Sequence, residues 1–305
     1  MKFLTLRESE DFRGAAGGRA LAEDLLAPFR ERLDRRVKSL YIIPDGILHY
    51  LPFETLIRTR DGRDRFLIED FEIAYGPSAS GLIQIADRPS PKAFPMDFLG
   101  VANPNPLRAF GLSGQEEIVF PRLPHAVREI RNIRNYFKRE RTTLLLGGDA
   151  REDAFKALPL SDYRVIHIVA HGFFDDRNWQ RSALVLLRDS SGEDDGFVQS
   201  SDIFPLRIQP DLLVLSGCET GVGLLEKGEG LNGLSFAFFY AGARSILLSL
   251  WSVNDKAASL FMESFYRHFT AGINKTEALR KAKLDMLSSK YRHPFYWAPF
   301  VLQGR

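Results

Sequence analysis

Leu212-Leu-Val-Leu-Ser-Gly-Cys-Glu-Thr-Gly221 decides how this 305-residue chain folds. Four consecutive apolar residues read as a strand buried on both faces, the pattern of a parallel sheet covered by helices. Glycines on both sides of Cys218-Glu-Thr220 mark a turn where that strand ends. A second stretch is built alike: Val165-Ile-His-Ile-Val-Ala170 runs into His171-Gly172. Sites in open parallel sheets form at the carboxyl ends of strands. If these two strands are neighbours, His171 and Cys218 point into one crevice.

Working outward, the same kind of apolar run recurs at Phe98–Ala102, Thr143–Leu146, Ser245–Leu250 and Pro299–Leu302. Between them lie three- and four-residue apolar periods that predict helices over His125–Lys138, Glu152–Leu158, Leu231–Ala241, Ala257–Phe269 and Lys275–Leu287. This alternation predicts an α/β fold with a mostly parallel central sheet and helices on both faces. Ala183–Leu187, followed by the acidic turn Glu193-Asp-Asp-Gly196, reads as an inserted hairpin. Towards the N-terminus, Leu21, Leu25, Leu26, Phe29 and Leu33 predict a helix, and Ser39–Ile43 and Phe71–Tyr75 two strands. Arg13-Gly-Ala-Ala-Gly-Gly18 reads as a flexible joint, and the Pro-rich Arg88–Pro95 as the best internal boundary. The expected division is therefore a flexible tail or linker over 1–18, an N-terminal helix and strands over 19–90, and a core over 91–305.

Composition narrows the function. Forty-one basic against 39 acidic residues leave a net charge of +2, so the chain as a whole is not built to hold a polyanion. No apolar stretch has the length of a membrane span or of an export-signal core. The chain has one cysteine, which excludes an internal disulfide and a Cys-rich zinc site. A cytoplasmic setting is expected, where a lone thiol stays reduced.

That thiol is a core filler, a surface residue or a nucleophile. A buried lone Cys usually packs as a small apolar side chain, and a lone His after a strand is more often structural than catalytic. Their equivalent places at two strand ends favour the third role: an imidazole can take the thiol's proton, and the backbone N–H groups of Gly172 and Cys218 can face a developing oxyanion. His167, an even number of residues before His171, is either an orienting neighbour or, as the better reading, a satisfied core histidine. Other chemistries fail on spacing. His167-x-x-x-His171 lacks the adjacent Glu of a zinc helix, Gly221-Val-Gly223 lacks the third glycine of a dinucleotide loop, and Gly233-Leu-Ser235-Phe-Ala237 breaks the serine-nucleophile pattern. No cofactor and no metal are expected, and no direct nucleic-acid binding.

His167-Ile-Val-Ala-His171-Gly172 and Leu215-Ser-Gly-Cys218-Glu-Thr-Gly221 together resemble the paired motifs of CHAT domains, caspase-like peptidases related to separase. Tyr41-Ile-Ile-Pro-Asp-Gly-Ile-Leu48 with Leu51-Pro-Phe-Glu54 resembles the opening segment of that family. Gly228–Asp255 resembles the stretch after its nucleophile, and His293–Phe300 its closing strand. Gly217 stands where the family usually has Ala. The resemblance spans about residues 20–305. It implies a caspase-like fold and a cysteine endopeptidase with His171 as general base and acid, Cys218 as nucleophile, and the N–H groups of Gly172 and Cys218 as oxyanion donors. It also implies an acidic residue opposite a basic P1 side chain. Asp255, in Trp251-Ser-Val-Asn-Asp255, is the candidate; the competing role is that Asp255 or Asn254 only caps a helix. The Gly221–Gly230 loop is expected to order before the site works, and Lys227 is a candidate self-cleavage point. The expected partners are a protein substrate and a regulatory protein or an upstream region of the TPR type. The alternative is a catalytically silent scaffold of the same fold.

Overall fold

The computed structural model describes residues 15–29, 31–33, 36–89, 93–103, 107–110, 117–120, 122–173, 178–188, 194–216, 229–251 and 253–305. Its centre is an eight-stranded sheet: β1 (Ser39–Ile42), β2 (Glu72–Tyr75), β3 (Met96–Ala102), β4 (Thr142–Leu146), β5 (Tyr163–Val169), β6 (Leu212–Ser216), β7 (Ser245–Ser249) and β8 (Phe300–Gly304). Across the sheet they run β1-β2-β8-β7-β6-β5-β3-β4. All neighbours are parallel except β7 and β8. The sheet is therefore five parallel strands joined, through one antiparallel seam, to three that run the other way.

The helices are α1 (Ala15–Leu26), α2 (Ala79–Asp87), α3 (Ala126–Arg134), α4 (Glu229–Ala241), α5 (Asp255–Thr270) and α6 (Lys275–Leu287), with shorter turns between them. They split the core in two. Ile166, Ile168, Leu213, Leu215, Ile246 and Leu248 face α1 and α4 on one side of the sheet. Val165, Val169, Leu212, Val214 and Leu247 face α3, α5 and α6 on the other. Both faces are dry, which is why these strands read as unbroken apolar runs rather than alternating ones.

Three expectations change. The stretch read as a flexible joint overlaps α1, which begins at Ala15. Gly18 lies so close to the next layer that an added Cβ would sit 3.3 Å from the Thr55 carbonyl oxygen. Its missing side chain serves packing there, not flexibility. The Pro-rich Arg88–Pro95 stretch does not separate two sheets, because β1 and β2 join the same sheet as β3–β8. Arg88 and Arg244 also exchange contacts across it, Arg88 donating to the Phe239 carbonyl and Arg244 to the Arg88 carbonyl. The helix expected over His125–Lys138 ends at Arg134 and continues in turns.

The N-terminal segment is locked in by a buried ion pair. Lys283 Nζ donates to Glu54 Oε1 at 2.5 Å, and Tyr75 Oη donates to Glu54 Oε2 at the same distance. Glu54 and Lys283 are fully buried, 229 residues apart in sequence. Burial depresses the Lys283 ammonium, partly offset by Glu54. It raises the Tyr75 phenol, and the Glu54 carboxylate adds to that rise.

Candidate active site

β5 and β6 are neighbours in the sheet, in the register Val169↔Ser216. His171 follows Val169 by two residues, and Cys218 follows Ser216 by two. The Ala170 N–H donates to the Ser216 carbonyl at 3.2 Å, so pairing persists one step past β5. Cys218, with the Gly221–Gly230 loop up to Gly228 and Lys227 within it, lies outside the described residues. On the next strand over, Asn103 follows β3 and donates its N–H to the Val169 carbonyl at 3.1 Å. Asn103 is buried and belongs to the same rim as His171. It stands directly after an apolar run, as His171 nearly does, and that position was the sequence signal for it.

His171 does not continue β5. It opens a three-stranded antiparallel sheet, His171–Phe173 against Ala183–Val185 and Ala183–Val185 against Phe197–Gln199. The hairpin expected from Ala183–Leu187 is the pair Ala183–Val185 and Phe197–Gln199, and the strand that carries the histidine is added along its Ala183–Val185 edge. Gly172 sits opposite Leu184 in the same register and is buried. The His171 ring is 1% exposed and lies 5.4 Å from the Phe120 ring, which is itself fully buried. Phe120 was not anticipated, because nothing local in Glu117-Ile-Val-Phe120 marks it as a cover for a histidine 51 residues later.

His167 belongs to the other side of the matter. β5 stops at Val169, so the even spacing does not relate His167 to His171 beyond that break. Its Nδ1 is 3.0 Å from Tyr266 Oη, and its Nε2 is 3.1 Å from a Glu129 oxygen, all three residues being buried. The imidazole stacks on the Tyr266 ring at 5.6 Å. Burial raises the Tyr266 phenol, with Glu129 adding to it. His167 is thus a core histidine bridging the sheet to α3 and α5.

Asp255 is the first residue of α5, which follows β7, two strands from β5. The cap of α5 is Asn254, whose Oδ1 accepts from the Lys256 and Ala257 N–H groups at 3.1 and 3.4 Å. Asp255 instead reaches across to another helix: its Oδ2 accepts the His125 N–H at 2.7 Å, at the start of α3. Burial raises its carboxyl pKa, and the His125 hydrogen bond opposes that. Its other oxygen makes no hydrogen bond among the described residues. The half-buried carboxylate therefore ties the start of α5 to the start of α3.

Among the described residues, no helix is long and apolar enough to cross a membrane, and no cluster of metal-ligating side chains occurs.

The family model for the CHAT domain matches residues 15–305. The chain belongs to the CHAT family. It is 35% identical over 106 residues to tetratricopeptide repeat protein 28 of Mus musculus and 33% identical over 106 residues to that of Homo sapiens. Each match takes in 34% of this chain but only 4% of the relative's length. Two solved structures share the fold. Saccharomyces cerevisiae separase, solved with securin, gives a TM-score of 0.53 at 19% identity, over 84% of this chain and 14% of that one. The Arg-specific cysteine proteinase gingipain R gives 0.55 at 7% identity, over 93% of this CHAT chain and 67% of that one. At these identities the likeness establishes the caspase-like architecture and no more.

Proposed function

We propose that this CHAT chain is a cysteine endopeptidase in which His171 and Cys218 form the catalytic dyad. The observation that carries the reading is register: Val169 pairs with Ser216, and each candidate residue stands two positions beyond its strand's paired residue. On this reading His171 takes the thiol proton and the thiolate attacks the scissile carbonyl. The tetrahedral oxyanion is met by the Gly172 and Cys218 N–H groups. The leaving amine takes the proton back from His171, and water then hydrolyses the acyl-enzyme with the imidazole as base.

For specificity we assign Asp255 to the S1 pocket with preference for Arg or Lys at P1. It stands at the strand-end rim with one carboxylate oxygen unengaged, and it is Asn254, not Asp255, that caps α5. The Arg specificity of gingipain R agrees with a basic P1 in this architecture. The burial of His171 beneath Phe120 supports a latent ground state that a partner, or an upstream region of the TPR type, relieves. The Gly221–Gly230 loop orders in the same step, and Lys227 is the candidate self-cleavage point under a basic P1 rule.

The deciding experiment uses a peptide-based, thiol-reactive label ending in Arg. Labelling of Cys218 that is abolished in His171→Ala supports the dyad. Labelling at equal rates in both proteins overturns it. The same burial of His171 favours one other reading, a silent scaffold; failure to label with or without candidate activating partners would select it.

A further inference from the structure

The outer rim of the sheet carries a cluster that the peptidase reading does not use. Arg131 and Arg134 project from the last turn of α3, one helical turn apart, and Arg139 from the 3₁₀ turn that leads into β4. With Asn132, Asn135, Thr142 and Leu144 they line an open depression of about 690 Å³ against β4, the outermost strand. Among the described residues, its lining comprises three arginines, two asparagines, one threonine and one leucine, with no acidic residue.

None of the three guanidiniums makes an ion pair or a side-chain hydrogen bond among the described residues. Their neighbours behave otherwise: Arg141 is tied to Asp97 at 3.0 Å and to the Phe94 carbonyl, and the Thr142 hydroxyl donates to the Lys138 carbonyl at 2.9 Å. Cations at a helix C-terminus are favoured by the helix dipole, which accounts for Arg131 and Arg134 individually. It does not account for Arg139, which lies outside the helix, or for the convergence of all three on a concave surface where they repel one another. The nearest unpaired acid in sequence, Glu140, is exposed and outside the lining.

We infer that this depression binds a small polyphosphorylated molecule. Guanidiniums present planar forks of N–H donors that match phosphate oxygens two at a time, and the carboxamides add neutral donors. Leu144 is the only apolar lining residue among the described ones, so a peptide would find little to bury. The site is a local open depression on a chain of net charge +2, not a long basic stripe, which favours a compact polyanion over a nucleic-acid backbone. The inference stands apart from the peptidase reading and survives its failure.

The test is isothermal titration of the full chain with tripolyphosphate, without divalent cations, alongside inorganic phosphate, a 12-nucleotide single-stranded RNA and poly-glutamate. One tripolyphosphate should bind per chain. Arg131→Gln, Arg134→Gln and Arg139→Gln should each weaken it at least threefold and the triple variant at least thirtyfold. Arg32→Gln, elsewhere on the surface, should leave it unchanged. An affinity that the triple variant does not alter would overturn the assignment, as would RNA or poly-glutamate binding more tightly than tripolyphosphate. Absence of any saturable binding overturns it too. A retained unfolding midpoint in the triple variant separates lost binding from lost fold.

Discussion

Replacing Lys283 by Met removes an ammonium while keeping an unbranched apolar stem in its place. Glu54 is then left fully buried with only the Tyr75 hydroxyl on its carboxylate. Keeping the charge there is costly, so the group's escape is to take up a proton. At pH 7 that costs the gap between solution pH and an ordinary Glu pKa, about 2.7 units, or about 3.7 kcal/mol at 1.36 kcal/mol per unit. This agrees with the roughly 3–5 kcal/mol typical of breaking a buried ion pair from one side. The origin of the penalty gives it a pH signature. The penalty falls on burying a carboxyl that the unfolded chain keeps ionised in water, so it shrinks as pH drops towards the ordinary glutamate range and grows above it. At pH 5.5 the same arithmetic leaves about 1.6 kcal/mol. Urea unfolding followed by tryptophan fluorescence, at both pH values and against the parent chain, measures the difference. Adding Glu54→Gln to Lys283→Met should recover more than half of the loss at pH 7, because a neutral amide still accepts from Tyr75. A loss under about 1 kcal/mol at pH 7, or one that does not change between the two pH values, would refute the reasoning.

The remaining predictions concern the rim of the sheet. Asp255→Ala should cut kcat/KM for P1-Arg peptides by roughly tenfold to a hundredfold, the worth of one charge-assisted hydrogen bond. An unaltered P1 profile removes Asp255 from the S1 pocket. Because burial holds the Asp255 carboxyl above the ordinary aspartate range, acidification neutralises it early. The ratio of P1-Arg to P1-Met cleavage should accordingly fall as pH drops, before ordinary aspartates titrate, and a flat ratio between about pH 4 and 7 contradicts this. Phe120→Leu, which nearly keeps volume, should speed diethyl pyrocarbonate modification of His171 at least threefold; an unchanged rate means that Phe120 is not what covers it. His167→Phe should cost about 1–3 kcal/mol by stranding Glu129 in the core, while Cys218 labelling by the peptide probe persists. Loss of labelling in a folded His167→Phe protein would reassign His167 to the active site.

Much of this architecture was legible because burial on both faces writes itself as uninterrupted apolar runs. Val165–Val169 and Leu212–Leu215 could be placed to within two residues, and their strand ends pointed to His171. Strand direction leaves no such trace. Phe300–Gly304 is as apolar as its parallel neighbours, and only the fold reveals that it runs against β7. Long-range polar partners are equally silent: Glu129 and Tyr266 lie 38 and 99 residues from His167, and no local period connects them. The glycines at the start of α1 misled for a related reason. The composition of a flexible joint and that of a tight interlayer contact are the same, and the distance from Gly18 to the Thr55 carbonyl separates them. The Arg131–Arg134–Arg139 hollow was hidden by a near-neutral total, since a net charge says nothing about where charges converge.

The place of β8 bears on how such a chain comes to exist. β1 and β2 reach the rest of the sheet through Phe300–Gly304, which lies far later in the sequence. During synthesis the two early strands must wait on a growing ribosomal product, with the apolar edge of β2 unclaimed, until residue 304 has emerged. β5 and β6, the strands that precede His171 and Cys218, can pair well before then, but the sheet around them closes only once β8 is available. A product truncated before residue 300 would therefore be left with its sheet in two pieces.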